Sequence, residues 1–178
     1  RCSLCEQQYH GIVRCALGWA CWKTYLGPPE TDLNRRDAMT VLGLGLNNAE
    51  HHEDALSVQE AQLSMMLGAS EDGILIAQSN LASTYAKLGR IEQALNLYRD
   101  VYSGWLKLVG EEDEGTLLAA NNYAFSLMKL ERFEEAKTLL RRMLPVARRV
   151  LGESNGLTLK LQSIYAASLY RDPGATLD

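Results

Sequence analysis

Apolar residues recur at helical spacing along most of the chain. Ile76, Leu81, Tyr85 and Leu88 mark one segment, and Ile91, Leu95, Tyr98, Val101 and Leu108 mark the next. The spacing predicts two successive amphipathic helices. The pattern then returns: shifted by 42 positions, Leu81-Ala82 in SNLASTYAKLGRIEQALNLY meets Tyr123-Ala124 in NNYAFSLMKLERFEEAKTLL, Tyr85 meets Leu127, Ala94 meets Ala136 and Tyr98 meets Leu140. Val109-Gly110 likewise meets Leu151-Gly152, each followed by an acidic residue. A further copy opens at Tyr165-Ala166 and Leu169 and breaks off. Upstream, Leu42-Gly43, Leu46 and Ala55 form another, offset by 39 because its second helix is shorter before Leu67-Gly68.

Self-similarity at such a period marks a solenoid, in which no helix pair can bury its own apolar face and each stacks on its neighbours. The predicted fold is all-α: a right-handed superhelical solenoid of antiparallel helix pairs. Residues 31–171 are expected to hold the array, three helix pairs and one further helix. A Cys-rich segment at 1–10 and a capping helix and turn at 11–30 precede it, with Val13, Leu17 and Ala20 sealing the first repeat alongside Trp19 and Trp22, and 172–178 follow as the tail of a truncated repeat. Small residues fall where paired helices cross, Ala82 against Ala94 and Ala124 against Ala136, because a larger group would separate the axes. Pro145 falls inside a predicted helix, where it removes the bond to the Arg141 carbonyl; Ser103-Gly104 holds the equivalent place, and a bend is expected in both.

SNLASTYAKLGRIEQAL resembles the tetratricopeptide repeat, in the 42-residue form of kinesin light chains, and NNYAFSLMKLERFEEAK follows it with Leu127 in place of Tyr and Glu131 in place of Gly. The resemblance covers residues 38–171. It implies a protein–protein interaction scaffold with a concave groove lined by the first helix of each pair. Asn80 and Asn122 stand just before the Leu-Ala and Tyr-Ala pairs, with Val41 and Ile164 in the flanking copies. A carboxamide both donates and accepts, so it can pair with the backbone of an extended peptide whatever its side chains; the resemblance carries that role to Asn80 and Asn122. The preceding row, Thr40, Ser79, Asn121 and Ser163, is small and polar and leaves room for a ligand backbone. Lys87, Lys129 and Arg171 come seven residues after the Asn row and would favour an acidic peptide. Cations near a helix C-terminus also complement the helix dipole. Phe125 is read as either a groove contact or core.

All four cysteines lie in the first 21 residues, and RCSLCEQQYHGIVRC sets Cys2, Cys5, His10 and Cys15 at a zinc-knuckle spacing. Against this, Tyr9 replaces the usual Gly, and Cys15 and Cys21 share a helical pattern with Leu17 and Trp22, which reads as buried free thiols. Cys2 and Cys5 could alternatively close a zinc module whose remainder lies upstream, which would make the protein a ubiquitin-ligase-type adaptor. A structural subunit embedded in a larger assembly is a further alternative. No cofactor other than zinc is implied.

Composition narrows the rest. A chain 47% apolar with four prolines is ordered, and no run is long and apolar enough to span a membrane. A net charge of −4 argues against nucleic acid as partner. A cytoplasmic location is expected, and since the chain opens on Arg1 and its last copy is cut short, it reads as a piece of a longer protein. HHED at 51–54 groups two histidines with two carboxylates, but adjacent histidines on a helix point apart, and a solvated turn before an acidic first turn explains the run. Arg141, Arg142, Arg148 and Arg149 read as a solvated face answering Glu134 and Glu135. No nucleophile with a base and orienting group is found, and no enzyme is expected.

Overall fold

A computed structural model of the chain describes Ala16, Trp19, residues 33–66 and residues 68–171. Its long described stretches hold seven helices: α1 (Leu33–Asn48), α2 (His52–Ser64), α3 (Glu71–Lys87), α4 (Ile91–Val109), α5 (Glu114–Lys129), α6 (Phe133–Leu151) and α7 (Gly156–Arg171). No strand occurs among the described residues. The Cys-rich segment 1–10, the tail 172–178 and all of 11–30 but Ala16 and Trp19 lie outside them. Two compact units result, one ending at Gly89 and one beginning at Arg90. In the first, α1 packs on α2 and both pack on α3; in the second, α5 packs on α4, α6 and α7, and α6 on α7.

The turns repeat with the sequence. α4 ends at Gly110 (φ 87°, ψ −178°) and α6 at Gly152 (φ 91°, ψ 160°). This backbone region is essentially closed to residues with a Cβ, so the Gly of each Val-Gly or Leu-Gly pair is a geometric requirement. The following helix is then capped by one device: Asp113 Oδ1 accepts from Gly115 N–H and Asn155 Oδ1 from Leu157 N–H, each at 2.8 Å. Each bond satisfies a first-turn donor that has no partner within the helix.

The tighter turn within each pair passes through a left-handed residue in three copies: Glu50 (φ 65°), Gly89 (φ 74°) and Glu131 (φ 57°). Replacing the repeat's Gly by Glu131 has therefore not rerouted the chain; the side chain sits in a conformation that costs an L-residue about 1–2 kcal/mol. Glu131→Gly is expected to raise the unfolding free energy by about 1 kcal/mol, part of the relief being offset by the freer unfolded chain. Urea denaturation of the two proteins measures it, and an unchanged or lower midpoint would contradict the strain.

Core composition differs between the units. In the second, Leu117, Leu127, Leu140, Met143 and Leu161 are fully buried, and Ala124 and Ala136 have no exposed surface, as the crossing positions require. The first has a smaller apolar cluster of Leu42, Leu46 and Ala55 and also buries Asn47, Gln59, Gln62 and Thr84. In repeat register Gln59 stands where Tyr98 and Leu140 stand, and Gln62 where Val101 and Met143 stand. Buried polar groups need partners, and here they have them. Asn47 Nδ2 donates to Thr84 Oγ1 (2.6 Å), which donates to Gln59 Oε1 (2.5 Å). At its outer end the chain reaches His52, whose Nδ1 lies 3.0 Å from Asn47 Oδ1. Gly43 admits Gln59: a Cβ there would stand 3.0 Å from Gln59 Cγ.

Some sequence expectations change. Ile76 (49% exposed) and Leu108 (39%) are not core, although their spacing placed them with it. The arginines of α6 do not answer Glu134 and Glu135. Arg142 instead pairs with Glu111 (3.1 Å) and Arg149 with Glu112 (2.7 Å), both on the turn before α5, while Arg141 Nε donates to Tyr165 Oη (3.4 Å). Glu135 is taken by Arg132 and Glu134 by Lys137. The reason is reach: the turn brings two carboxylates alongside α6. α4 and α6 include the two positions where a bend is expected, Ser103-Gly104 and Pro145, and at the first Ser103 Oγ donates to the Arg99 carbonyl (2.9 Å), a bond that competes with the helix ladder and favours bending.

Candidate functional site

α3 in the first unit and α5 in the second each present one row of exposed and partly exposed residues. On α3 the row is Ile76, Asn80, Ser83 and Lys87; on α5, 42 residues on, it is Leu118, Asn122, Phe125 and Lys129. Steps of four, three and four keep each set on one helix face. Ile76 and Leu118 are 49% and 48% exposed, and Phe125 is 51% exposed, which settles Phe125 as surface rather than core. The opposite faces are buried: Leu75, Leu81 and Ala82 on α3, and Leu117, Ala124 and Leu127 on α5.

The polar groups of the rows are arranged differently in the two units. Asn80 and Ser79 are partly exposed, and Asn80 makes no side-chain hydrogen bond among the described residues. Its main-chain carbonyl lies 3.1 Å from Thr84 Oγ1, a second and longer acceptor for the proton that Thr84 gives to Gln59. On α5, Asn121 Nδ2 donates to Asn122 Oδ1 (3.1 Å), which leaves the Asn122 amide protons for a ligand. Asn121 Oδ1 is buried with no hydrogen-bond partner. Lys87 Nζ donates to the Asn47 carbonyl (3.2 Å), and Lys129 Nζ lies 5.3 Å from the Phe125 ring centroid. Both contacts fix an exposed ammonium, but a carbonyl and a ring face do not neutralise it. Arg171 is exposed at the end of α7. Thr40 hydrogen-bonds within its unit, its Oγ1 donating to the Arg36 carbonyl (3.1 Å) and accepting from Gln62 Nε2 (2.6 Å).

Sequence reasoning found the Asn and Lys positions but missed Ile76 and Leu118. The signal was present, since both stand four residues before the Asn at the same offset of 42. Helical spacing grouped Ile76 with Leu81, Tyr85 and Leu88, and Leu118 was not singled out.

Two other features carry less. A cleft of about 420 Å³ in the second unit is lined by Tyr102, Tyr123, Glu134, Glu135 and Arg142. Its tyrosine rings stack with centroids 6.1 Å apart, and burial raises both phenol pKa values. Each of its three charged groups is already paired within the unit. At HHED, His51 stands 3.8 Å from the Asp54 carboxylate on the surface while His52 turns to Asn47. No group of three metal-binding side chains occurs among the described residues, and Cys2, Cys5, His10 and Cys15 lie outside them. No helix among the described residues is long and apolar enough to cross a membrane.

The sequence pattern of the tetratricopeptide repeat matches residues 74–114 and 116–155. Among solved structures, a Podosopora anserina protein assigned as a kinesin light chain, with nearly identical TPR-like repeats, is similar with a TM-score of 0.76 at 17% identity, over 88% of this chain and 76% of that one. A single-substitution variant of the same protein gives 0.74 at 18% identity over the same shares. BtubC (BKLC) from P. vanneervenii gives 0.68 at 18% identity, over 92% of this chain and 76% of that one. No curated protein matches the sequence.

Proposed function

We propose that this chain, which carries two matches to the tetratricopeptide repeat and shares the fold of kinesin-light-chain-like structures, acts by binding a protein partner, which it holds as an extended peptide on the first-helix row of a unit. Repeats of this type generally mediate protein–protein interaction. The observation that carries the reading is the recurrence of one exposed row, apolar residue, Asn, then Lys, on α3 and again on α5. An exposed Ile or Leu beside a carboxamide with unengaged amide protons offers a peptide both apolar contact and backbone hydrogen bonds, the two elements of strand-like recognition. Each row ends in an ammonium that no described carboxylate of its unit neutralises, Lys87 in the first unit and Lys129 in the second, so an acidic or carboxylate-bearing segment fits best on either. This is a binding role rather than an enzymatic one.

A peptide selected from a random library on the unaltered protein is expected to bind the Asn80→Ala/Asn122→Ala double variant about tenfold more weakly. Two hydrogen bonds at about 0.5–1.5 kcal/mol each, with some adjustment, amount to roughly one decade. Isothermal titration calorimetry reads the change, and an unaltered affinity would retire the row as the site.

A further inference from the structure

The first unit contains a cavity of about 280 Å³ between α1 and α3, floored by the end of α2 and lined by Arg36, Asp37, Gln62, Met66, Ile76 and Ala77 among others. Small-molecule sites run from about 300 to 1,000 Å³, so this one is sized for a single side chain. Its floor is chemically defined. Gln62 is 4% exposed, and both protons of its amide are used: Nε2 donates to Thr40 Oγ1 (2.6 Å) and to the Arg36 carbonyl (3.1 Å). The Thr40 hydroxyl proton goes to the same carbonyl, so it cannot turn to serve Gln62. Gln62 Oε1 receives no hydrogen bond among the described residues, and a flipped amide would set that oxygen against the Arg36 carbonyl. Water reaches Gln62 Oε1 through the cavity, so a side chain that enters and displaces that water must bring a donor of its own or leave the acceptor unmet.

We propose that this cavity takes the side chain of an asparagine or glutamine in the bound peptide; the inference rests on the peptide-binding reading above. The ligand NH₂ donates to Gln62 Oε1 and to the Asp37 carboxylate, and its carbonyl accepts from the Arg36 guanidinium. Its methylenes lie against Met66 and the exposed flank of Ile76. A neutral carboxamide is the group that answers both signs at once. A glutamate would set its oxygens against Gln62 Oε1 and Asp37, a lysine would bring its ammonium to Arg36, and a leucine would leave Gln62 Oε1 unmet. Specificity of this kind comes from stranding polar groups when the wrong side chain enters.

The test titrates N-acetylglutamine N-methylamide into the ¹⁵N-labelled protein, with its glutamate, lysine and leucine counterparts in parallel. The glutamine probe is expected to shift the Gly73 and Ala77 backbone amides and the Gln62 side-chain NH₂, saturating at about tenfold lower concentration than the other three, the value of one good hydrogen bond. Arg36→Ala keeps the main-chain carbonyl that pins Gln62 and should remove most of the preference over leucine. Gln62→Met should remove the rest. Equal responses to all four probes, or a glutamine preference untouched by Arg36→Ala, would overturn the assignment. If the library-selected peptide depends on Asn80 and Asn122 while the glutamine probe shows no preference, the cavity fails alone. If the probe discriminates but those asparagines are dispensable, the row fails alone.

Discussion

Leu127→Ala is expected to lower the unfolding free energy of the second unit by about 2–5 kcal/mol, the range for truncating a fully buried leucine. Leu127 has no exposed surface and packs with Leu95, Met128 and Ala136, with Tyr123 and Phe133 at the edge of the cluster. The neighbours cannot close the gap. Ala136 has no side chain to extend, and the helices on either side are held by the Arg132–Glu135 turn and by the left-handed Glu131. The size of the loss reflects the cavity left behind as well as the buried area removed. Thermal and urea denaturation followed by circular dichroism would show it, and a loss under about 1 kcal/mol, less than a single methylene-scale change in a rigid core, would mean that the α5–α6 hairpin repacks. Leu127→Tyr, which restores the residue used at Tyr85, should cost less than alanine but is not neutral, because added volume strains a filled core.

Thr84→Val should destabilise the first unit by about 2 kcal/mol or more, since two buried groups lose their partner at about 1–3 kcal/mol each. Thr84 is fully buried, and its hydroxyl serves Asn47 Nδ2 and Gln59 Oε1 at once. Valine has almost the same shape, so packing changes little. The mechanism makes a second expectation: adding Gln59→Leu, which brings this position toward Leu140 in the later copy, should recover part of the loss, since removing both partners is cheaper than stranding one. The comparison is a double-mutant cycle measured by chemical denaturation. Strict additivity of the two changes would show that the hydrogen bonds contribute nothing as a connected set.

How much was readable in advance differs from one group of residues to the next. The period of 42, the alanines at the crossings and the glycines at Gly110 and Gly152 were legible because each is a local requirement, of spacing, size or backbone angle, that one residue type meets. The exposure of Ile76 was not, because helical spacing identifies a face without saying which part of its edge a neighbour covers. The partners of Arg142 and Arg149 were also hidden. Charges were matched along one helix, whereas the turn before α5 supplied closer carboxylates from 31 and 37 residues away. The burial of Gln59 and Gln62 was not legible, since nothing nearby in sequence announces that Thr84 and Thr40 will meet them.

By itself the sequence determined the all-α class, the repeat and the glycines that close α4 and α6, because these follow from periodicities and backbone preferences that act over a few residues. Only the tertiary structure decided which apolar residues stay in contact with water, and that the first unit is held by a hydrogen-bonded chain from His52 to Gln59 where the second uses leucine and methionine. It also decided that Gln62 keeps an unanswered oxygen beside a cavity. The reason is physical: burial and hydrogen-bond partnership are properties of pairs of groups brought together from distant positions, and no single segment carries both halves.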